Sequence, residues 1–138
     1  MHLVIRPAIV EDIRALLDLW ARAGAEPTHT DDQGSLTRLL ARDPDALLVA
    51  VDEHGRVIGS VIAGWDGWRG SIYRLVVAPE HRRAGVGRRL LGAAEDRLSA
   101  ARAVRLHAVV VATDERALGF WQASGWQQQA ERVRFVLG

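Results

Sequence analysis

The apolar residues of this chain fall into two kinds of block, continuous runs and sets spaced three or four apart, separated by short polar or glycine-bearing connectors. Residues 2 to 6 read as a short first strand. Ile13, Leu16, Leu17 and Trp20 then recur at helical spacing, with Glu11 and Asp12 in the first turn, where acids complement the helix dipole, and this helix should end near Gly24. Residues 25 to 34 are polar and carry Pro27 and Gly34, a loop; Ser35 is the expected cap of a shorter helix through Arg42, stopped by Asp43-Pro44-Asp45. Leu47 to Val51 and Val57 to Ala63 are apolar runs joined by Asp52-Glu53-His54-Gly55-Arg56, a hairpin by length and composition. Asp66 to Gly70 turns the chain into a strand over Ser71 to Val77. Gly85 to Arg102 is a long helix with Val86, Leu90, Leu91, Ala94 and Leu98 on one face. A strand over Leu106 to Val111, a helix over Glu115 to Ser124 and a closing strand over Val133 to Leu137 complete the pattern.

An antiparallel meander that feeds one strand-helix-strand crossover predicts an α/β fold with a mixed, mostly antiparallel sheet flanked by helices. A length of 138 residues suits a single domain over 1–138. The chain has no cysteine, which excludes disulfides, thiolate metal sites and a cysteine nucleophile. No apolar run reaches membrane-spanning length, and the N-terminal residues carry no basic leader, so a cytoplasmic protein without membrane association is the expectation.

Between the strand ending at Val77 and the helix opening at Gly85 lies the most informative segment, Val77-Ala78-Pro79-Glu80-His81-Arg82-Arg83-Ala84-Gly85-Val86-Gly87-Arg88-Arg89. Two glycines let a ligand approach the backbone, the first amides of a helix have no intrahelical acceptor, and Arg82, Arg83, Arg88 and Arg89 add positive charge. A phosphate or pyrophosphate fits such a place. A P-loop needs a lysine, and the chain contains none. A dinucleotide-binding turn needs a third glycine where Leu90 stands, directly after a strand.

What remains, Arg-x-x-Gly-x-Gly after a strand and a Pro-containing connector, resembles the acetyl-CoA loop of the GCN5-related N-acetyltransferases. A later segment, Asp114-Glu115-Arg116-Ala117-Leu118-Gly119-Phe120-Trp121-Gln122-Ala123-Ser124-Gly125-Trp126, is similar to that family's Asn-x-x-Ala-x-x-Phe-Tyr-x-x-x-Gly-Phe motif, with Asp114 for the usual asparagine and Trp121 for the common tyrosine. Gly64-Trp65-Asp66-Gly67-Trp68-Arg69-Gly70 resembles a hairpin tip of one group of small bacterial members.

The resemblance implies the acyl-CoA N-acyltransferase fold, with acetyl-CoA as cosubstrate in a cleft where the strand ending at Val77 splays from the strand at Leu106. Backbone groups of Leu75, Val76 and Val77 would pair with the pantetheine amides, and an N–H near Val77 would face the thioester oxygen. Arg82, Arg83, Ala84, Gly85, Val86, Gly87 and Arg88 would hold the pyrophosphate. Asp114, Phe120 and Trp121 complete the implied cofactor set, Trp121 against the pantetheine arm with Phe120 on the core side. Trp121 cannot act as the proton donor attributed to the family tyrosine, although a thiolate is a fair leaving group without one.

The acceptor amine must be neutral to attack, so a base or a water chain is required. Strand alternation puts Ser71, Tyr73 and Leu75 on one face, and some family members carry Glu or His at the positions of Ser71 or Tyr73; Tyr73 is therefore the first catalytic candidate. Asp31, Asp32, Asp66 and His29 lie on loops that could reach the acceptor. The expected activity is transfer of acetyl to a primary amine (a small molecule, a peptide N-terminus or a protein lysine), with a non-catalytic acyl-CoA-binding or sensor protein as the alternative. Residues 1–70 hold seven arginines against eleven acids and residues 71–138 eleven against six, a division that suits an anionic cofactor and a cationic acceptor. A net charge of +1 lacks the basic excess of a nucleic-acid binder, and His2, His29, His54, His81 and His107 show no metal-ligand spacing, so neither nucleic acid nor a metal is expected. A homodimer is compatible with a small member of the family.

Overall fold

The computed structural model describes residues 2–138. Five strands form one sheet in the order β1-β2-β3-β4-β5: β1 (Leu3–Pro7), β2 (Leu47–Asp52), β3 (Val57–Trp65), β4 (Gly70–Val77) and β5 (Leu106–Ala108). The first four are antiparallel neighbours, and β5 runs parallel to β4 after the crossover through α3 (Val86–Ala100). The mixed α/β class read from the sequence is the observed one. The chain divides into two compact units, one running through Ala108 and the other Val109–Gly138.

In the first unit α1 (Ile13–Arg22) and α3 cover opposite faces of the sheet. Trp20 of α1 donates its indole N–H to Ser60 Oγ on β3, at 2.8 Å, so Ser60 marks the α1 face. The neighbouring Gly59 marks the other. A Cβ there would stand 2.8 Å from Leu90 Cδ1, 3.3 Å from Val86 Cγ1 and 3.2 Å from the Val76 carbonyl oxygen. Glycine is thus what lets the first turn of α3 settle onto β3 beside the end of β4. Ile13, Leu16, Leu47, Val49, Val61, Leu90, Leu91 and Leu98 are fully buried in these two layers.

Helix α2 (Gln33–Arg42) begins earlier than its serine suggested. Asp32, not Ser35, is the cap: its carboxylate accepts the Ser35 N–H at 2.7 Å. Both residue types cap well, and the carboxylate three residues upstream of a free amide takes the position. Ahead of α1, Asp12 closes a single 3₁₀ turn (Val10–Asp12) by accepting the Ile9 N–H at 2.8 Å, while Arg6 grips the same carboxylate at 2.7 and 3.1 Å. That guanidinium, foremost by its hydrogen bonds, holds the Asp12 carboxyl below its ordinary pKa.

Two expected strands differ. The fifth ends at Ala108 rather than Val111, and Val133 to Leu137 carries no strand. A strand exists only where a neighbour completes its ladder, and apolar β-branched composition cannot supply that neighbour. The second unit contains α4 (Glu115–Ala123).

Candidate functional site

The centre of the first unit is an irregularity in β4. Ser60 pairs with Val76 and Ile62 with Tyr73, so Val61 faces two residues, Arg74 and Leu75, across a β-bulge. Arg74 adopts the left-handed conformation, φ +50°, unusual for a residue with a side chain. Two hydrogen bonds hold this turn from within: Ser60, fully buried, donates its hydroxyl to the Arg74 carbonyl at 2.8 Å and receives the Trp20 indole.

The extra residue breaks the alternation expected for this strand. By register Ser71 and Tyr73 project on the α1 face together with Ser60, whereas Leu75 and Val77 project toward α3 with Gly59. Leu75 therefore does not share a face with Tyr73, because one inserted residue reverses every side chain beyond it. The bulge also coincides with the end of the β5 ladder. β4 and β5 pair over Gly70–Ile72 and Leu106–Ala108, and β4 then continues to Val77 paired with β3 on its other side. Along Leu75, Val76 and Val77, β4 therefore has no ladder with β5.

At the far end of that edge the chain makes a 3₁₀ turn (Pro79–His81) and enters the glycine-bearing loop. Arg83 at φ +68° and Gly85 at φ +83° are both left-handed, and Gly85 is the N-cap of α3. The first bond of the helix runs from the Arg89 N–H to the Gly85 carbonyl at 3.1 Å, so the Val86 and Gly87 amides stand ahead of the ladder. Arg83, Ala84 and Gly85 are exposed, and a Cβ on Gly85 would meet nothing within 4 Å. The backbone here is open to a ligand.

The four arginines divide in role. Arg82 donates to the Ala23 carbonyl at 3.1 Å, tying the loop to the end of α1, and Arg22 and Glu80 reinforce this link at 2.8 Å. Arg89 reaches back to the Leu3 carbonyl at 3.4 Å. Arg83 stands exposed beside the helix start. The site residues thus fit an elongated ligand with an amide-bearing arm and a phosphate group: an open strand edge for the first, uncommitted main-chain amides at the positive end of a helix for the second.

On the α1 face Tyr73 is 53% exposed and its ring crosses Gly64, whose Cβ position is 3.4 Å from Tyr73 Cε2. Beside it, Ser71 Oγ and His107 Nε2 lie 3.1 Å apart. His107 had no partner in the sequence reading, since only the β4–β5 register brings it opposite Ser71.

The acidic loop residues are engaged locally. Asp31 pairs with Arg74, and Asp32 caps α2. Asp66 accepts the Trp68 and Arg69 amides, each at 2.7 Å, and those bonds, the Arg69 one foremost, hold its carboxyl below the ordinary value. A groove lined by Arg6, Asp45, Leu48 and Arg97 lies on the α3 side, away from this face, and its arginines are already paired, with Asp12 and Asp43. Among the described residues no group of three or more His, Asp or Glu side chains is arranged to hold a metal ion.

In the second unit Asp114 is the N-cap of α4, its carboxylate accepting the Ala117 N–H at 3.0 Å. Trp121 packs edge-on against Trp126, with ring centres 4.6 Å apart, and against Phe120 at 5.9 Å. Asp114 thus does at least the capping that an asparagine would do at this position.

The sequence model of the acetyltransferase (GNAT) family matches residues 11–126. An acetyltransferase of Pectobacterium atrosepticum is 33% identical over 112 residues, covering 81% of this chain and 79% of that protein. Among solved structures, Ard1 from Thermoplasma volcanium is similar with a TM-score of 0.84 at 20% identity, over 94% of this chain and 86% of that one. AAC(6')-Iy in complex with the bisubstrate analogue CoA-S-monomethyl-acetylneamine gives 0.77 at 18% identity, over 100% and 99% of the two chains. At these identities the two structures speak for a shared fold.

Proposed function

The chain belongs to the acetyltransferase (GNAT) family, and from that premise we propose that it transfers acetyl from acetyl-CoA to a primary amine by direct attack, without a covalent enzyme intermediate. The observation that carries this reading is the continuity of two ligand-ready backbones: the β4 edge past Ile72, and the α3 start that Gly59 seats beside Val76. Acetyl-CoA supplies an activated acetyl thioester. Main-chain groups of Leu75, Val76 and Val77 bind the pantetheine arm in the manner of an added strand. The amides from Arg83 to Arg88 hold the pyrophosphate, and the N-terminal dipole of α3 strengthens that hold. A strand amide near Val77 donates to the thioester oxygen, where negative charge builds during attack.

The amine loses its proton on the α1 face. Tyr73, with the Ser71–His107 pair beside it, orders the water that accepts this proton, and holding both reactants against one strand removes much of the entropic barrier. The departing thiolate needs no protein acid, which accommodates Trp121.

Thiol release from acetyl-CoA across a panel of alkylamines, diamines and lysine-containing peptides tests the proposal. Amine-dependent release supports it. Saturable binding of coenzyme A with no release on any amine replaces it with the acyl-CoA-binding reading that Trp121 favours.

A further inference from the structure

We propose that Arg74 is a positioning residue for the acceptor, locking the segment from Glu26 to Asp31 against β4 at the point where β4 loses its β5 neighbour. The inference rests on the acetyltransfer reading above and deepens it. Arg74 is the bulge residue itself, and its left-handed backbone turns its side chain across the α1 face instead of along the sheet. There the guanidinium lies over the Trp20 ring, 5.3 Å from its centre. Its Nε donates to Asp31 Oδ1 at 3.1 Å and a terminal nitrogen pairs with Asp31 Oδ2, a two-pronged ion pair in which both side chains are more than four-fifths buried. The same nitrogen donates to the Glu26 carbonyl at 2.8 Å. Asp31 in turn accepts the Thr28 N–H at 2.9 Å, closing the segment on itself.

One residue therefore joins three things: the bulge, the helix that braces it through Trp20 and Ser60, and the connection between α1 and α2. Tyr73 precedes it directly in the chain, so this connection borders the exposed tyrosine and the beginning of the open strand edge. An amine approaching the thioester along the α1 face meets a wall whose distance from β4 is fixed by the length of an arginine side chain. Asp31 is consequently not available as a counter-ion for a cationic acceptor, because its charge is met by Arg74.

The backbone and side-chain roles can be separated. Arg74→Gly keeps the left-handed turn without strain and removes the lock together with the contact on the Trp20 ring. Arg74→Lys keeps a charge but loses the planar fork that serves Asp31 and the Glu26 carbonyl together. Asp31→Asn leaves the arginine in place and removes the ion pair. The experiment measures KM and kcat for whichever amine of the panel gives the fastest thiol release with the wild type, the affinity for coenzyme A by calorimetry, and the melting temperature.

The proposal expects Arg74→Gly to raise the amine KM about tenfold or more, with kcat reduced less than about threefold and coenzyme A affinity within about twofold. Asp31→Asn should shift KM in the same direction by less, and Arg74→Lys should fall between Arg74→Gly and the wild type. An unchanged amine KM in Arg74→Gly, whether or not the protein melts earlier, overturns the positioning role while leaving the acetyltransfer reading intact. A wild type that binds coenzyme A but acetylates no amine overturns both.

Discussion

The bulge depends on a hydroxyl, and Ser60→Ala removes it with almost no change in volume. Ser60 is fully buried and serves two groups at once, receiving the Trp20 indole N–H and donating to the Arg74 carbonyl, both at 2.8 Å. The alanine variant strands a buried donor and a part-buried acceptor. An orphaned buried group costs about 1–3 kcal/mol and a part-buried one less, so the pair costs roughly 2–4 kcal/mol. With an unfolding entropy of about 2.1 cal/mol/K per residue, or roughly 290 cal/mol/K for the whole chain, the melting temperature should fall by about 7–14 °C. Calorimetry at neutral pH measures it. Because the same hydroxyl holds the carbonyl of the left-handed residue, the open edge of β4 should loosen too, and coenzyme A affinity should fall with stability. Adding Trp20→Phe removes the stranded indole donor, so the double variant should be less destabilised than the sum of the two single ones. A melting point lowered by less than about 2 °C, or strictly additive single and double variants, would refute the idea that this hydroxyl braces the bulge.

Three further outcomes follow from the same geometry. Gly59→Ala forces a methyl to within 2.8 Å of Leu90 Cδ1 and 3.2 Å of the Val76 carbonyl, so it should destabilise by about 1–3 kcal/mol and weaken coenzyme A binding by displacing the start of α3; a stable variant with native affinity contradicts the seating role of this glycine. Tyr73→Phe and His107→Gln should each lower kcat by roughly one to two orders of magnitude while leaving coenzyme A affinity unchanged, as steady-state kinetics with calorimetry will show, and an unaltered kcat removes the residue concerned from proton handling. Arg6 depresses the Asp12 pKa, so Asp12 contributes stability that is present above the unfolded carboxyl pKa, about 3.9, and is lost as pH falls through the lower folded value; melting curves down to about pH 3 should show Asp12→Asn less stable near neutrality and less sensitive to acid, and parallel wild-type and variant curves would count against the linkage.

Much of this architecture could be read from residue pattern because it is written locally. The helical spacing of Ile13, Leu16 and Trp20, the glycine-bearing turn before Val86 and the run from Ser71 to Val77 each specify an element without reference to distant partners. The glycines of the loop announced an exposed backbone at the start of α3 for the same reason. What escaped is what depends on register. Nothing in Ser71-Ile72-Tyr73-Arg74-Leu75 reveals an extra residue, since its alternation is blurred by Arg74, and so the faces of Tyr73 and Leu75 were merged. The Ser71–His107 pair exists only through a crossover of more than thirty residues. The bond from Arg82 to the Ala23 carbonyl is of the same kind, a contact between segments far apart in the chain that its place in the loop does not announce. Asp31, Asp32 and Asp66 lie on loops that could reach an acceptor, yet turn and surface roles suit such residues better, and each has a local partner.

Calorimetric titration with coenzyme A, run on the wild type and on Gly85→Val, tests most directly whether the amides at the start of α3 hold the diphosphate. Gly85 is left-handed and its Cβ position faces open space, so valine adds backbone strain of about 1–2 kcal/mol and two methyl groups where the ligand must approach. The account predicts saturable one-to-one binding to the wild type and at least about a tenfold loss of affinity, some 1.4 kcal/mol, in a variant that still folds. No binding to the wild type, or equal affinity in both proteins, would contradict it.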